Sequence, residues 1–413
     1  MVRLLLLLAL AGALIGACAT TQSSGPAPAT PEAEASPSAA PAPDQAGKAA
    51  AIRIPETPAR ALLPRALVAR ALSNPRGMHR GADGALLVAE AGTGDPENPL
   101  TGTLARLADG NGDGDYLDEG ERRVLLDRQP SKNILGIVRR DEVFGMAGIA
   151  ASGDRVMVAL AFFGGPSTIF EVASDGVKPW GKTHLNINDL AYDPGRKHWY
   201  GVASTTDEVV RLLPGEGVER VLKIPPMANG QDAVPGYLVH DPKSGRLLVS
   251  LFTGSPEGEE GGEGVELVHG AGAIISVDPE TRSFEWLVTG LSVPTDLEIG
   301  PDGSLYVLEF CDAFLEPTPT RESMYAGTLH GGFKRHSGRL LRVSPDGAVS
   351  VVAAGLDAPS NLLLADGALY VAEGMGTPGR SIPGPEGGSQ PLEGFIERIA
   401  LDAPAPGAAT AAR

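Results

Sequence analysis

One repeated pattern constrains the fold of this chain more than any other feature. A short loop leads into an apolar stretch, a turn such as Asp-Gly follows, and an alternating strand comes next; the pattern is clearest in residues 75–90, 294–309 and 359–373. Equivalent strand positions recur every 43 to 70 residues, at Val88, Val158, Gly201, Val249, Val307 and Val371. No long window keeps the 3.6-residue period of a helix. Short strands and Gly-rich turns at this spacing are typical of propeller blades.

Six copies predict an all-β fold, a six-bladed β-propeller that spans residues 62–402. A single blade is apolar on both faces, and radial stacking buries both. The sixth copy has room for only three strands, the last at residues 395–401. Residues 66–72 precede the first copy and form one more strand. We therefore predict that this N-terminal strand completes the last blade and closes the ring, which removes an open sheet edge.

The long irregular segments fall after the second strand of a repeat, at residues 91–102, 253–272, 311–338 and 374–394. In a propeller these segments and the loops into the inner strands lie on the same side. We call this side the long-loop face. Long loops on a rigid scaffold usually carry function, so the long-loop face is the predicted binding face.

Polar residues mark two levels of the predicted channel mouth. At the starts of inner strands they are Arg76, Asn188, Asp296 and Asn361, and at the ends of second strands they are Glu90, Glu309 and Glu373. Three carboxylates from neighbouring blades, helped by Asn or Asp, could hold a divalent cation or another ligand. The alternative is that each glutamate accepts hydrogen bonds from its own turn, because a residue that recurs in a repeat usually has a structural task.

An acidic loop follows the third strand of the first repeat. It carries oxygen-bearing side chains at alternate positions, namely Asp109, Asn111, Asp113 and Asp115. This spacing matches the start of a calcium loop, but the twelfth place is Gly120 and the nearest carboxylates are its neighbours, including Glu121. The sequence predicts either a structural Ca²⁺ site or a solvated turn.

The N-terminus predicts export. Residues 1–17 read as a lipoprotein signal peptide, with Arg3 before an apolar run too short to cross a bilayer, and small residues precede Cys18. Acylated Cys18 would anchor the chain to a lipid bilayer. Residues 18–60 are predicted to be a disordered tether rich in Pro and Ala, and residues 403–413 a disordered tail. Ala19 favours the periplasmic side of an outer membrane.

Composition limits the partners and the cofactors. The formal net charge of −17 argues against nucleic acid as a partner. Apart from Cys18 the chain has only Cys311, so no disulfide framework is expected.

Three segments together resemble the ScyD/ScyE family of exported propellers, which belongs with the TolB-like and NHL-like six-bladed folds: residues 294–310, 251–256 and 338–347. The resemblance implies the fold and an extracytoplasmic setting, and it implies no reaction.

Two enzyme families share this architecture. Gluconolactonase and senescence-marker proteins hold a divalent metal through side chains at the starts of inner strands, and here only Asn188 is in register with such a ligand. Quinone-dependent sugar dehydrogenases need a catalytic His motif that the chain lacks. We therefore expect an envelope lipoprotein that binds a small molecule, a glycan or a protein partner on the long-loop face. A metal-dependent lactonase-type hydrolase is the alternative, and a quinone-dependent sugar dehydrogenase is the third hypothesis.

Overall fold

The structure, a computed structural model, describes residues 51–134, 141–162, 166–228, 230–253, 269–313, 333–383 and 388–401. The predicted signal peptide, Cys18, most of the predicted tether and the C-terminal tail lie outside these residues. Among the described residues no helix is long and apolar enough to cross a membrane.

Nearly all regular structure is β. Three strands come first, namely β1 (Ile52–Arg53), β2 (Ala59–Arg60) and β3 (Arg65–Leu72). Blades 1 to 3 then comprise β4 (Pro75–Arg80), β5 (Leu86–Glu90), β6 (Gly102–Leu107) and β7 (Arg122–Gln129); β10 (Met146–Ser152), β11 (Arg155–Leu160), β12 (Ser167–Ala173) and β13 (Gly176–Thr183); and β14 (Ile187–Asp193), β15 (His198–Ala203), β16 (Glu208–Leu212) and β18 (Val218–Lys223).

Blades 4 to 6 follow the same plan. They comprise β19 (Pro235–Asp241), β20 (Arg246–Leu251), β21 (Gly272–Asp278) and β22 (Ser283–Leu291); β23 (Pro294–Ile299), β24 (Leu305–Glu309), β25 (Gly338–Val343) and β26 (Val349–Leu356); and β27 (Asn361–Ala365), β28 (Ala368–Glu373) and β31 (Gly394–Ala400). The smaller elements are β8 (Lys132–Asn133), β9 (Val143–Phe144), β17 (Gly215–Glu216), β29 (Ser381–Pro383), β30 (Ser389–Pro391) and a 3-10 turn at Ser204–Thr206.

The six inner strands contact one another in the ring order β4, β10, β14, β19, β23, β27 and back to β4. Each second strand lies between two neighbouring blades, which is why β5, β24 and β28 are buried along their whole length. The predicted six-bladed fold is confirmed.

The ring closes as the sequence predicted. β3 pairs antiparallel with β31 and becomes the outer strand of blade 6, with Ala66 opposite Arg398 and Leu67 opposite Glu397. Both ends of the propeller therefore share one sheet. The closing sheet is held by backbone pairing and by buried side chains such as Val68 and Ile396.

Residues 52–60 differ from the sequence expectation, which placed them in the tether. β1 pairs in parallel with the outer strand of blade 4, and β2 pairs in parallel with the outer strand of blade 5. Edge pairing of this kind depends mainly on backbone hydrogen bonds and on few buried side chains, here Ile54 and Pro58, so the low apolar content of the segment did not reveal it. A similar short strand, β17, covers the edge of blade 2.

Neighbouring blades are also tied together next to the channel. At each junction a side chain of one blade forms a hydrogen bond with the backbone of the next blade or of the segment just before it. In ring order these hydrogen bonds are Arg76 to Val143 O, Ile187 N to Ser167 Oγ, Leu238 N to Asp189 Oδ2, Ser250 Oγ to Thr295 O, Leu362 N to Asp296 Oδ2 and Ser360 Oγ to Pro75 O. These bonds satisfy backbone groups that the innermost strand would otherwise leave unpaired on its channel side.

Candidate functional site

Each inner strand carries one extra residue near its start. In blades 1 to 5 the register of pairing with the second strand shifts by one residue at this point. In blade 6 two consecutive residues stand against Ala372: Asn361 lies opposite it in the strand pairing, and the Ser360 N–H donates to its carbonyl. The two residues at each bulge are Arg76 and Gly77, Ala147 and Gly148, Asn188 and Asp189, Gly236 and Tyr237, Thr295 and Asp296, and Ser360 and Asn361. A bulge re-aims side chains, so the two members of a pair serve different surroundings.

Tyr237 spans the channel at the level of these bulges. Its hydroxyl donates to the carbonyl oxygen of Arg76 at 3.2 Å, which links blade 4 to blade 1 on the opposite side of the ring. Tyr237 is buried, and burial raises the pKa of its phenol above the usual value, so it stays a neutral donor. The phenol divides the channel into a part under the long loops and a part on the other side.

A cavity of about 470 Å³ occupies the channel on that other side. All six inner strands line it, together with turns between first and second strands at Gly153, Pro194 and Pro242. The cavity therefore extends toward the side opposite the long-loop face, whereas the sequence predicted the binding face on the long-loop side. The second bulge residues Asp189, Asp296 and Asn361 line its deep end, and Glu298 lies beside them.

The carboxyl groups of the cavity bridge blades. Asp189 Oδ2 accepts the Leu238 N–H at 3.0 Å, and Asp296 Oδ2 accepts the Leu362 N–H at 2.7 Å. Glu298 repeats the arrangement one pleat further along the same strand, with Oε1 accepting the Leu364 N–H at 3.2 Å. The same groups thus hold the ring together and give the cavity its acidic lining.

Burial raises the pKa of Asp189, Asp296 and Glu298, so these carboxyl groups ionise at a higher pH than usual. Burial raises the pKa of Asp296 to about 7 against the pull of three hydrogen-bond donors. Burial and then the neighbouring Asp296 raise the pKa of Glu298 to about 8, and the same two causes hold the pKa of Asp189 well above its usual range. Near neutral pH the deep end of the cavity is therefore poised between protonated and charged states.

Asn361 completes this set. Its Nδ2 donates to Asp296 Oδ2 at 2.6 Å, which orients the amide and leaves Oδ1 as a pure acceptor. Asn361 is 6% exposed, and its Oδ1 has no hydrogen-bond partner among the residues that the structure describes. A buried acceptor without a donor is costly, and it marks a place where a bound molecule or a water would supply one.

Arg76 and Asn188, the first residues of their bulges, face the long-loop side instead. The Arg76 guanidinium bonds to Glu142 at 3.1 Å and to Val143 O at 3.3 Å, while Asn188 Nδ2 donates to Ser204 Oγ at 2.9 Å. The structure therefore does not bring Arg76 and Asn188 together with Asp296 and Asn361 into one ligand set.

The three predicted glutamates lie further from the channel. Each accepts the backbone N–H of the loop that leads into its own blade: Ser73 to Glu90 at 2.6 Å, Ser292 to Glu309 at 2.6 Å and Asp357 to Glu373 at 2.5 Å. Glu90 and Glu309 also form ion pairs with arginines of the same blade, Arg122 and Arg339. This geometry corresponds to the structural alternative, in which a recurring residue does the same local task in each blade.

The acidic loop of blade 1 uses its side chains internally. Asp109 accepts the N–H groups of Gly112 and Gly114, Asn111 Nδ2 donates to Asp113 at 2.9 Å, and Glu121 accepts the Gly110 N–H at 2.8 Å. Among the described residues, no group of three His, Cys, Asp or Glu side chains is arranged to hold a metal ion. Calcium binding by this loop stays a prediction from the sequence.

Sequence reasoning missed Asp189, Glu298 and Tyr237. Asp189 directly follows the Asn188 that was chosen, and Glu298 follows Asp296 at the two-residue spacing of one strand face. That spacing was a usable signal for a second carboxyl in the channel. Tyr237 gave no such signal, because its reach across the ring depends on a bulge that the sequence pattern does not show.

Comparisons with known proteins support the fold. No protein-family model and no curated protein sequence matches the chain. Among solved structures, a protein of unknown function from Bacteroides thetaiotaomicron is 12% identical with a TM-score of 0.50, covering 80% of this chain and 70% of that one. A putative oxidoreductase (glucose dehydrogenase) from Thermus thermophilus is 16% identical with a TM-score of 0.48, covering 82% and 99%. Virginiamycin B lyase from Staphylococcus aureus is 10% identical with a TM-score of 0.43, again covering 82% and 99%. The first of these, with its TM-score of 0.50, shows a shared fold alone, and the ScyD/ScyE resemblance stays a prediction.

Proposed function

We propose that the protein binds a small solute in the channel cavity on the side of Tyr237 that faces away from the long loops. The observation that carries this proposal is the cavity itself, of about 470 Å³ and lined by all six blades. Its size falls within the roughly 300–1,000 Å³ of small-molecule pockets, and apolar walls with a few convergent polar groups are typical of such pockets. The proposal keeps the small-molecule function expected from the sequence and moves the site from the long-loop face into the channel.

A thermal-shift screen of cationic, neutral and anionic small molecules tests the proposal. Ser152 lines the cavity next to the Gly153 turn, so Ser152→Trp should fill the mouth of the cavity and abolish any ligand-induced rise in Tm. Ser152→Ala should keep that rise, and so should Lys334→Ala, which changes an exposed residue of the long-loop face. A ligand whose effect survives Ser152→Trp but disappears in Lys334→Ala would contradict the proposal and restore the long-loop face as the binding face.

A hydrolase is the second candidate. It is favoured by Asp296, because a carboxyl group with a pKa of about 7 suits general acid–base catalysis near neutral pH. A lactonase-type reaction would then use Asp296 to move a proton, with Asn361 Oδ1 accepting a hydrogen bond from the substrate. Turnover of a sugar lactone that falls at least tenfold in Asp296→Asn, in a variant that still folds, would establish this reaction over simple binding.

We also propose that the chain is an envelope lipoprotein anchored through acylated Cys18, on the periplasmic side of an outer membrane. Support comes from the apolar run after Arg3 and from the small residues before Cys18. Labelling of the full-length chain with a fatty-acid analogue in a bacterial host should mark the wild type and leave Cys18→Ser unlabelled. Equal labelling of both would contradict the anchor.

A further inference from the structure

The described lining of the cavity contains more acidic than basic side chains. Asp189 of blade 3 and Asp296 and Glu298 of blade 5 all line it, and among its described lining residues none is Lys or Arg. Arg76 lies beyond the Tyr237 phenol and bonds to Glu142, so its charge is already balanced on the other side. Three carboxyl groups without a positive partner are costly to ionise together in a confined space.

A second observation points to a donor-bearing ligand. Asn361 lines the same deep end, and its buried Oδ1 lacks a hydrogen-bond donor among the described residues. Its amide cannot usefully turn over, because Nδ2 already donates to Asp296. The missing partner must therefore be a hydrogen-bond donor placed next to Asp296.

From this placement we infer that the solute is an organic cation, a primary amine with an apolar body, whose ammonium group donates to Asn361 Oδ1 and is neutralised by the Asp296 carboxylate. The inference rests on the proposed function of the channel cavity and adds the chemical class of the ligand. An ammonium group is compact and has three donors, enough for Asn361 and a carboxylate oxygen at once. Leu190, Leu238 and Leu297 line the same cavity and provide apolar contacts for the body of the amine.

Other ligand classes fit less well. A divalent metal needs several oxygen ligands in one shell, and no three acidic or His side chains of the described residues form such a group. A neutral alcohol could donate to Asn361 but would leave the acids uncompensated. An anion would add a fourth negative charge to a site whose described lining contains three carboxyl groups and neither Lys nor Arg.

Binding of the amine should release protons. The amine enters as R–NH₃⁺, and a carboxylic acid of the cavity gives its proton to solvent, so the ammonium and the carboxylate balance. The other titratable side chains that line the cavity are His79 in blade 1, Tyr192 in blade 3 and His240 in blade 4. Tyr237 is close enough to Asp296 and Asp189 to interact with their charges. Burial lowers the pKa of His79, which favours its neutral form over a competing cation.

Three molecules of similar shape test the class of ligand: 2-phenylethylamine, 2-phenylethanol and 3-phenylpropanoate. We expect calorimetric titration of the folded chain to detect the amine and not the alcohol or the acid. Because only the deprotonated carboxylate balances the ammonium, the apparent affinity should rise about tenfold between pH 6 and pH 8 for one group with a pKa of about 7. Titration in two buffers of different ionisation enthalpy should report about 0.8 proton released per amine bound at pH 6.5, because a group with a pKa of about 7 is about three-quarters protonated there.

Substitutions locate the effect. Asp296→Asn should weaken amine binding at least tenfold and reduce its pH dependence, and Asn361→Ala should weaken it about fivefold with the pH dependence kept. Glu298→Gln provides a second, less buried carboxyl change if Asp296→Asn fails to fold, and it should reduce the proton release. Asp154→Asn, an exposed carboxyl in the turn of blade 2, is the matched control and should change nothing.

Each contrary result has its own meaning. Binding of the alcohol or the acid as tightly as the amine, in the wild type and not in Ser152→Trp, would overturn the cation assignment and leave the proposed site standing. Amine binding without proton release, or unchanged in Asp296→Asn, would also overturn it. Failure of every solute of the wider screen to bind in the channel would remove the proposed function itself.

Discussion

Asp296→Asn should remove a pH dependence of stability that the channel imposes on the fold. Asp296 is fully buried and its pKa in the folded state is about 7, whereas an unfolded Asp titrates near 3.9. Between these values the folded state binds more protons than the unfolded state. This contribution to stability is therefore fully present below about pH 4 and is lost as the pH rises through 7.

The size of the effect follows from the two pKa values. For a single group with these values, the linkage relation gives a loss of about 2 kcal/mol in the free energy of unfolding between pH 5.5 and pH 8.5. The Asp296 charge also raises the pKa of Glu298 and Asp189, so its removal reduces their contributions in the same direction. We expect the loss of stability over this interval to be at least about 2 kcal/mol smaller in Asp296→Asn than in the wild type.

Urea unfolding at the two pH values measures the effect. The absolute stability of Asp296→Asn should fall, because the amide oxygen can replace Oδ2 as the acceptor of the Leu362 N–H and of Asn361 Nδ2, but the amide nitrogen in place of Oδ1 cannot accept the Leu297 N–H. The change with pH is the informative quantity, and Asp154→Asn is the control that should keep the wild-type change. Equal changes with pH in the wild type and Asp296→Asn would refute the argument that Asp296 is held protonated by burial.

Two further substitutions test packing at the channel and under the long loops. Gly148→Ala should cost about 3 kcal/mol of stability, because a Cβ there would lie 2.5 Å from Asp189 Cα. Gly110→Ala is the control: the nearest neighbour of its Cβ would be 3.8 Å away, so it should change stability by less than about 0.5 kcal/mol. Similar urea midpoints for the two variants would contradict this prediction. Arg335→Met should cost about 3–5 kcal/mol, because it removes the arginine partner of the buried Asp357 carboxylate. Arg155→Met breaks an exposed ion pair and should cost under about 1 kcal/mol by the same measurement.

The repeat in the sequence was sufficient to predict the blades and the closure of the ring. Strand identity depends on alternating apolar residues and Gly turns, both of which are visible in the chain, and closure follows from one strand too few at residues 395–401 and one extra at 66–72. For the recurring glutamates the sequence offered a structural alternative, in which each accepts hydrogen bonds from its own turn. Glu90, Glu309 and Glu373 adopt this geometry.

The functional site was only partly predictable. Asp296 and Asn361 were chosen for their place at the starts of inner strands, and both line the cavity. Arg76 and Asn188 were chosen by the same rule and face the other side, because a one-residue bulge decides which of two consecutive side chains enters the cavity. Tyr237 could not be found from the pattern, since its contact with the far side of the ring depends on the diameter of the channel.

Crystals of the folded chain soaked with 2-phenylethylamine at pH 8 provide the most direct test of the account. We expect the amine in the channel, with its nitrogen within hydrogen-bond distance of Asn361 Oδ1 and Asp296 and its ring against the leucines of the inner strands. An amine bound only among the long loops, on the other side of Tyr237, would contradict the assignment of the site.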